Sequence, residues 1–167
     1  MTKAEREKEK IEGLLQEVRA YLPSPGKIFE SYTFLAPDAL WTGKMYGQPF
    51  VAVAEDRWDN SGNGWFLAVL YLDGVFVVDL KKRTAVNYCS SCFSYFMRIM
   101  DLYETALTNT PKPESVFDVE GYRRCKEAEE VFRKQVTEID PTALSSDLHF
   151  WSTRIEEFGA KSEAKRS

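Results

Sequence analysis

The sequence predicts an α+β fold, in which one N-terminal helix and several C-terminal helices pack against a twisted antiparallel β-sheet. Three observations support this prediction: helical periodicity near the N-terminus, a strand-rich middle with turn residues, and helical periodicity again in the second half. The chain has 167 residues and is 44% hydrophobic, which suits one globular domain. We expect a single domain over residues 1–158 and a flexible tail over residues 159–167.

The first predicted element is an amphipathic helix over residues 3–22. Its early turns alternate acidic and basic residues that pair four positions apart, and we expect this charged start, residues 1–10, to fray. Pro23 and Pro25 end the helix, because proline cannot continue the hydrogen-bond ladder. The apolar residues that recur at helical spacing are Ile11, Leu14, Leu15, Val18 and Leu22.

A strand-rich segment forms the middle of the chain. Residues 28–47 are ambiguous between short strands and loop, and four β-rich runs follow: PFVAVAED, WFLAVLYL, VFVVDL and TAVNYC. Asp73 and Gly74 predict a type I′ hairpin turn, which needs positive φ at both central residues, and the KKR run predicts the next turn. The chain thus predicts an antiparallel meander of about four strands. Its WFLAVLYL strand is apolar on both faces and belongs in mid-sheet.

Three helices are predicted in the second half. Ser90 and Ser91 offer N-cap hydroxyls to the first helix, which two prolines of TNTPKPES end. A second helix covers residues 116–138, and Gly159 ends a last short helix. The apolar residues on one face of each helix are Phe93, Phe96, Met100, Tyr103 and Leu107, then Tyr122, Cys125, Phe132, Val136 and Ile139, then Leu148, Trp151, Ile155 and Phe158.

The segment EDRWDNSGNGW, between two predicted strands, carries the candidate binding site. Its glycines lack the lysine and the following helix of a phosphate-binding loop, and its polar side chains lack the glutamate that closes an EF-hand loop. Two interpretations remain: a plain hairpin connection, or a loop that contacts a protein partner, since an aromatic side chain among charges is typical of interface anchors. The candidate partner-binding residues are Asp56, Trp58, Asp59, Asn60 and Asn63.

Cys89 and Cys92 form the sharpest chemical motif, a Cys-x-x-Cys at the start of a predicted helix. A thioredoxin-like motif lies between a parallel strand and its crossover helix, whereas this pair follows an antiparallel meander. Zinc needs two more ligands, for which the chain offers only Cys125 and the single His149. We therefore favour a structural role for both cysteines and a packing or surface role for His149, and we predict no catalytic residues, metal or other cofactor.

Charge and composition narrow the class of partner. The net charge is −4, and the one basic cluster is the short KKR run, which argues against direct nucleic-acid binding. The N-terminus lacks a secretory signal, and no apolar run is long enough to span a membrane as a helix, so we expect a cytoplasmic protein that binds no membrane. Residues 114–157 hold eleven acidic against six basic residues, which suits a basic protein partner or simply a solvated helix surface.

The order of these motifs resembles the SUKH superfamily of immunity proteins, which have a Smi/Knr-related fold, and its fourth subgroup in particular. Members of that subgroup carry a strand that ends in an asparagine and two serines, then a helix with a core-facing phenylalanine, and later an Asp-Pro-x-Ala-Leu turn before a Trp-bearing helix. In this chain Tyr88 and Cys89 stand between the asparagine and the serines. The matching residues, within residues 28–158, are Asn87, Ser90, Ser91, Phe93, Phe96, Asp140, Pro141, Ala143, Leu144 and Trp151.

The resemblance implies a non-catalytic protein that binds and neutralises a cognate toxin of a bacterial conflict system, typically a nuclease or a deaminase. A regulatory scaffold of the same fold with a cellular protein partner is the alternative. A thiol redox or metal protein built on Cys89 and Cys92 is less favoured. Exposed Trp and Tyr side chains are also compatible with a homodimer.

Overall fold

The computed structural model describes residues 1–56 and 64–163, and it confirms the α+β class with an antiparallel sheet. The chain forms two compact units, Met1–Ser94 and Tyr95–Ser167. The described helices are α1 (Lys3–Tyr21), α2 (Phe93–Asn109), α3 (Val119–Ile139) and α4 (Phe150–Glu163). The described strands are β1 (Ile28–Phe29), β2 (Tyr32–Phe34), β3 (Trp41–Met45), β4 (Gln48–Asp56), β5 (Trp65–Leu70), β6 (Gly74–Asp79) and β7 (Thr84–Ser90).

Helix α1 begins with a capping box. The Thr2 hydroxyl accepts a hydrogen bond from the backbone N–H of Glu5 at 3.1 Å, and the Glu5 carboxylate accepts one from the backbone N–H of Thr2 at 3.0 Å. Leu14 and Val18 are the buried residues of the predicted apolar stripe, and α1 packs against β4. The cap and the buried stripe together explain why this highly charged segment is helical from its third residue.

The sheet of the first unit is antiparallel throughout. Its strands follow the order β1-β2-β4-β5-β6-β7. Strands β2 and β3 share one edge of β4: β3 pairs with the first half of β4, and β2 pairs with the second half. The predicted meander is confirmed as β4 to β7, and the segment that the sequence left ambiguous, residues 28–47, contains the short strands β1 and β2. Strand β3 was not predicted, because its polar residues and Gly43 obscure the strand pattern.

The connection between β5 and β6 is a hairpin, but the predicted type I′ turn at Asp73 and Gly74 is wrong. Positive φ occurs at Leu72 (65°) and Gly74 (105°), and not at Asp73, whose N–H donates to the carbonyl oxygen of Leu70 at 3.2 Å. A side chain at position 74 would collide with the carbonyl oxygen of Ser90 at the end of β7. Glycine is therefore required there by both the backbone conformation and the close approach of β7.

Both faces of the central strands are buried, as expected for β5. One face carries a cluster of Met45, Phe50, Ala52, Phe66, Ala68, Leu70 and Val78, edged by the partly buried Trp41, Phe76 and Ala85. The alternating residues Val51, Leu67, Val69 and Val77 bury the opposite face. Tyr46, directly after β3, accepts a hydrogen bond from the backbone N–H of Ala85 in β7 at 3.1 Å. The sheet is therefore curled enough to bring two distant strands within reach of one side chain.

Aromatic side chains dominate the core of the second unit. Trp151 of α4 is completely buried, with its ring 5.4 Å from that of Phe96 and 5.8 Å from that of Tyr103. Phe132 of α3 and Phe158 of α4 extend this cluster, with ring centroids 5.9 Å apart. The three predicted helices are confirmed, and their apolar faces explain why they pack together.

The ends of two helices differ from the predictions. Helix α3 begins at Val119 rather than residue 116. Leu148 precedes α4 and is 81% exposed, so its predicted place on the apolar stripe is wrong. Helix α4 also continues through Gly159 to Glu163, beyond the predicted end of the helix, while residues 164–167 of the predicted tail lie outside the described residues. A single glycine costs a helix only about 1 kcal/mol and does not have to end it.

Candidate protein-binding surface

The loop predicted to contact a partner lies largely outside the described residues. Asp56 is the last residue of β4, where it is half-buried and paired with Tyr32 of β2. Trp58, Asp59, Asn60 and Asn63 fall in the segment that the structure does not describe. Their role in partner binding stays a prediction.

The Cys-x-x-Cys motif joins β7 to α2. Strand β7 runs antiparallel to β6, so the motif does not follow a parallel strand as in thioredoxin-like proteins. Cys89 is fully buried with its sulfur 3.9 Å from the carbonyl oxygen of Asn87, and the half-buried Cys92 has its sulfur 3.3 Å from the hydroxyl of Ser94. Neither cysteine is in a disulfide bond. Among the described residues no group of three or more His, Cys, Asp and Glu is arranged to hold a metal ion.

Ser90 does not act as predicted. Ser90 belongs to β7, so its predicted role as an N-cap of α2 is wrong. Its hydroxyl is buried and has no hydrogen-bond partner among the residues that the structure describes. Helix α2 instead begins directly after Cys92.

The most exposed aromatic side chain of the described chain lies in the second unit, just before α3. Phe117 is 87% exposed, and its neighbours Val116 and Val119 are also exposed, at 43% and 76%. We call residues 114–119 the Phe117 segment. Consecutive exposed apolar side chains of this kind are typical of a surface that binds another protein.

Asp118 holds the Phe117 segment in a fixed conformation. One carboxylate oxygen accepts the backbone N–H of Gly121 at 2.9 Å as the N-cap of α3, and the other accepts the backbone N–H of Glu114 at 3.0 Å. Both hydrogen bonds lower the pKa of the Asp118 carboxyl, and the one from Glu114 has the larger effect. Ser115 adds two more: its hydroxyl accepts the N–H of Phe117 at 3.2 Å and its carbonyl accepts that of Asp118 at 3.1 Å.

A hydrogen bond connects the chain before the Phe117 segment to α3. The thiol of Cys125 donates to the carbonyl oxygen of Pro111 at 3.8 Å, and burial raises the pKa of that thiol. A side chain at Gly121 would collide with the Asp118 carboxylate and with the backbone of Pro113. Glycine at position 121 therefore permits the close approach that fixes the segment, and Phe117 is presented on a rigid support.

Charged residues follow Phe117 along the exposed side of α3. Arg123 is paired with Glu120 at 2.6 Å and also with Glu127, and these pairs lower the pKa of the Glu120 carboxyl and raise the pKa of Arg123. Val119, Arg123, Glu127 and Val131 recur every four residues and so share one side of the helix. The surface next to Phe117 thus combines exposed valines with carboxylates that are already held in position.

Phe117 was not singled out from the sequence, although the residues around it have a pattern that would indicate a buried phenylalanine. Phe117 precedes the N-cap Asp118, and Tyr122 is the fourth residue of α3, which is the spacing of a hydrophobic staple. A staple would bury the phenylalanine against the helix, whereas Phe117 is almost fully exposed. This difference depends on side-chain direction, which the sequence pattern does not define.

Comparison of the chain with protein-family models, curated proteins and solved structures finds no match. Within residues 1–56 and 64–163, no helix combines the length and the apolar character that a membrane span requires.

Proposed function

We propose that the protein is a non-catalytic, cytoplasmic immunity protein that binds a cognate toxin, a nuclease or deaminase, and occludes its active cleft. One structural observation carries the proposal: Phe117 is exposed on a segment that four backbone hydrogen bonds hold in place. Because the backbone of the segment is already held by hydrogen bonds, it loses little conformational entropy on binding, and aromatic side chains are enriched among interface hot spots. The resemblance of the sequence to SUKH immunity proteins supports the same class of function.

The charge of the chain supports a basic partner. Residues 114–157 carry eleven acidic and six basic residues, and Glu120 and Glu127 lie on the same helix as the valines next to Phe117. Toxic nucleases bind polyanions and therefore have basic clefts, to which an acidic inhibitor is attracted over long range. In this mechanism the carboxylates speed the encounter, and Phe117 slows dissociation by filling an apolar pocket of the toxin.

The test is coexpression of this protein with the product of the neighbouring reading frame, followed by measurement of growth and of binding. We expect protection of the host and a stable complex. Phe117→Ala should weaken the complex about tenfold or more, the effect of removing an aromatic hot spot. The melting temperature should not change, since the side chain makes little contact with its own fold.

A matched control distinguishes the loss of Phe117 itself from the loss of any exposed apolar side chain. Leu148 is 81% exposed in the same unit but lies before α4, so Leu148→Ala should leave the affinity unchanged. The double variant Trp58→Ala with Asp59→Ala tests the alternative binding site, the loop that the sequence predicts to contact a partner. A complex weakened only by that double variant would move the site from Phe117 to the loop.

Two other outcomes would reject parts of the proposal. Binding to a cellular protein without protection against any toxin would favour the regulatory scaffold. Protection that is lost when Cys89 and Cys92 are both changed to serine, in a variant that still folds, would favour thiol chemistry instead.

A further inference from the structure

A groove of about 720 Å³ lies within the first unit, between α1 and the hairpin that joins β5 to β6. Its volume is in the range of natural ligand sites, which span about 300–1,000 Å³. The floor is apolar and buried, with Leu14 from α1 and Val69 from β5. Neither Phe117 nor any other residue of the second unit lines it.

The α1 wall of the groove has a gap at its centre. Gly13 lines the groove, and a side chain there would meet no neighbouring atom within 4 Å. The opposite wall carries Tyr71 and Leu72, and Leu72 is 85% exposed at a positive φ of 65°. The open space beside Gly13, in a groove that Leu72 also lines, leaves room for one apolar side chain of a ligand.

The charges lining the groove on α1 sum to a net positive charge at one end and a negative charge at the other. Arg6 and Lys10 lie towards the N-terminal end of α1, accompanied by Glu9, whereas Glu17 lies alone towards the C-terminal end. The helix dipole adds to this polarity, since it is positive at the N-terminus. Lys10 sits 5.1 Å from the centre of the Tyr71 ring, while Arg6, Glu9 and Glu17 form no ion pair with another described residue. One end of the groove therefore favours an anion and the other a cation.

We infer that this groove binds an extended peptide segment of a protein partner, about five residues long, with an acidic residue at one end, a basic residue at the other and apolar residues between. The length follows from the helix: Arg6 and Glu17 are separated by a rise of about 16 Å at 1.5 Å per residue. Five extended residues span about the same distance at 3.3 Å each. The acidic end lies at Arg6 and Lys10, and the central apolar side chain fills the space beside Gly13. This site is independent of the toxin-binding proposal.

Cys92 supplies a local readout of occupancy, because it lines the groove and is the most accessible of the three thiols. The probe is the synthetic peptide acetyl-EALLK-amide, and the measurement is the rate of Cys92 alkylation by N-ethylmaleimide, followed by mass spectrometry of the full chain. A bound peptide shields the thiol in proportion to occupancy, so the rate should fall about tenfold at a peptide concentration ten times its Kd. The neutral peptide acetyl-QALLQ-amide should protect much less.

Two α1 variants test whether the peptide lies in the groove. Gly13→Trp fills the gap, so the peptide should no longer alter the alkylation rate. Lys8→Trp places the same side chain at an exposed position outside the groove and should leave protection intact. Melting curves of both variants show whether each is folded.

Charge exchange gives the sharpest test. Glu17→Lys should shift the preference of the protein from acetyl-EALLK-amide to acetyl-EALLE-amide, because the cation-binding end has become an anion-binding end. The proposal is overturned if EALLK and QALLQ protect equally, if neither protects at up to about 10 mM, which is weaker than any useful affinity, or if Gly13→Trp leaves protection unchanged. None of these results bears on toxin binding at Phe117.

Discussion

The two units build their cores from different side chains. In the first unit, aliphatic residues of β4 to β6 fill one face of the sheet and join Phe50 and Phe66 on the other, and a β-carbon at Gly74 would collide with the carbonyl oxygen of Ser90. In the second unit, large rings on α2, α3 and α4 fill the space between helices, with Trp151 completely buried. We therefore expect an added atom at Gly74 to destabilise the sheet unit, and removal of the Trp151 ring to destabilise the helical unit.

The largest expected effect is from Trp151→Ala, which empties the centre of the aromatic cluster. Loss of a buried tryptophan costs about 3–5 kcal/mol of unfolding free energy, because both transfer energy and packing are lost. Urea denaturation followed by circular dichroism measures the loss, and hydrogen exchange locates it. We expect faster exchange in α2 to α4. If hydrogen exchange becomes equally fast in β4 to β6, the two units do not respond separately, and the predicted single domain is supported.

A smaller loss is expected from Gly74→Ala in the sheet unit. A β-carbon there meets the Ser90 carbonyl oxygen, and alanine is strained at a φ of 105°, which together cost about 2–3 kcal/mol. Gly13→Ala is the matched control, since its β-carbon enters open space on α1 and should raise stability by about 1 kcal/mol. Equal urea midpoints for the two variants would show that the close approach of β7 to the hairpin does not limit which side chain position 74 can carry.

The smallest effect concerns pH and the cap of α3. Hydrogen bonding lowers the folded pKa of Asp118 below its usual value of 3.8, so the cap stabilises the helix fully above that value. This contribution is lost as pH falls through the lowered folded pKa. Asp118→Asn removes the titration, so the gap in urea midpoint between wild type and variant should narrow on acidification from neutral pH. A difference in urea midpoint that stays constant over the whole pH range would exclude a contribution of Asp118 titration to stability.

The sequence predicted most elements, because alternating or helical apolar patterns record burial directly. Strands β4 to β7 and all four helices have such patterns. Strand β3 escaped prediction because it is short and its pairing with β4 depends on a hairpin at Tyr46 and Gly47, where φ is positive at both residues. The turn at Asp73 was predicted with the wrong geometry, since the approach of β7 to Gly74 is a tertiary contact that no local pattern contains.

The candidate surfaces were harder to predict than the fold. Phe117 fits the spacing of a buried staple, and only its observed direction makes it a candidate anchor. The groove requires α1 to lie beside the β5–β6 hairpin, residues that are more than fifty positions apart in the chain. Sequence spacing defines neighbours along one element, whereas both surfaces depend on how a side chain or an element is placed in three dimensions.

The hydrogen bond between Tyr46 and Ala85 has a consequence for solubility at high concentration. Strand β7 is the last in its sheet order, and a free amide on an outer strand is a template to which a strand of another molecule can add. The Tyr46 hydroxyl occupies the amide of Ala85 from within the same chain. This contact removes one of the donors that edge-to-edge association would use, and it does so with a side chain that is itself 67% exposed to water.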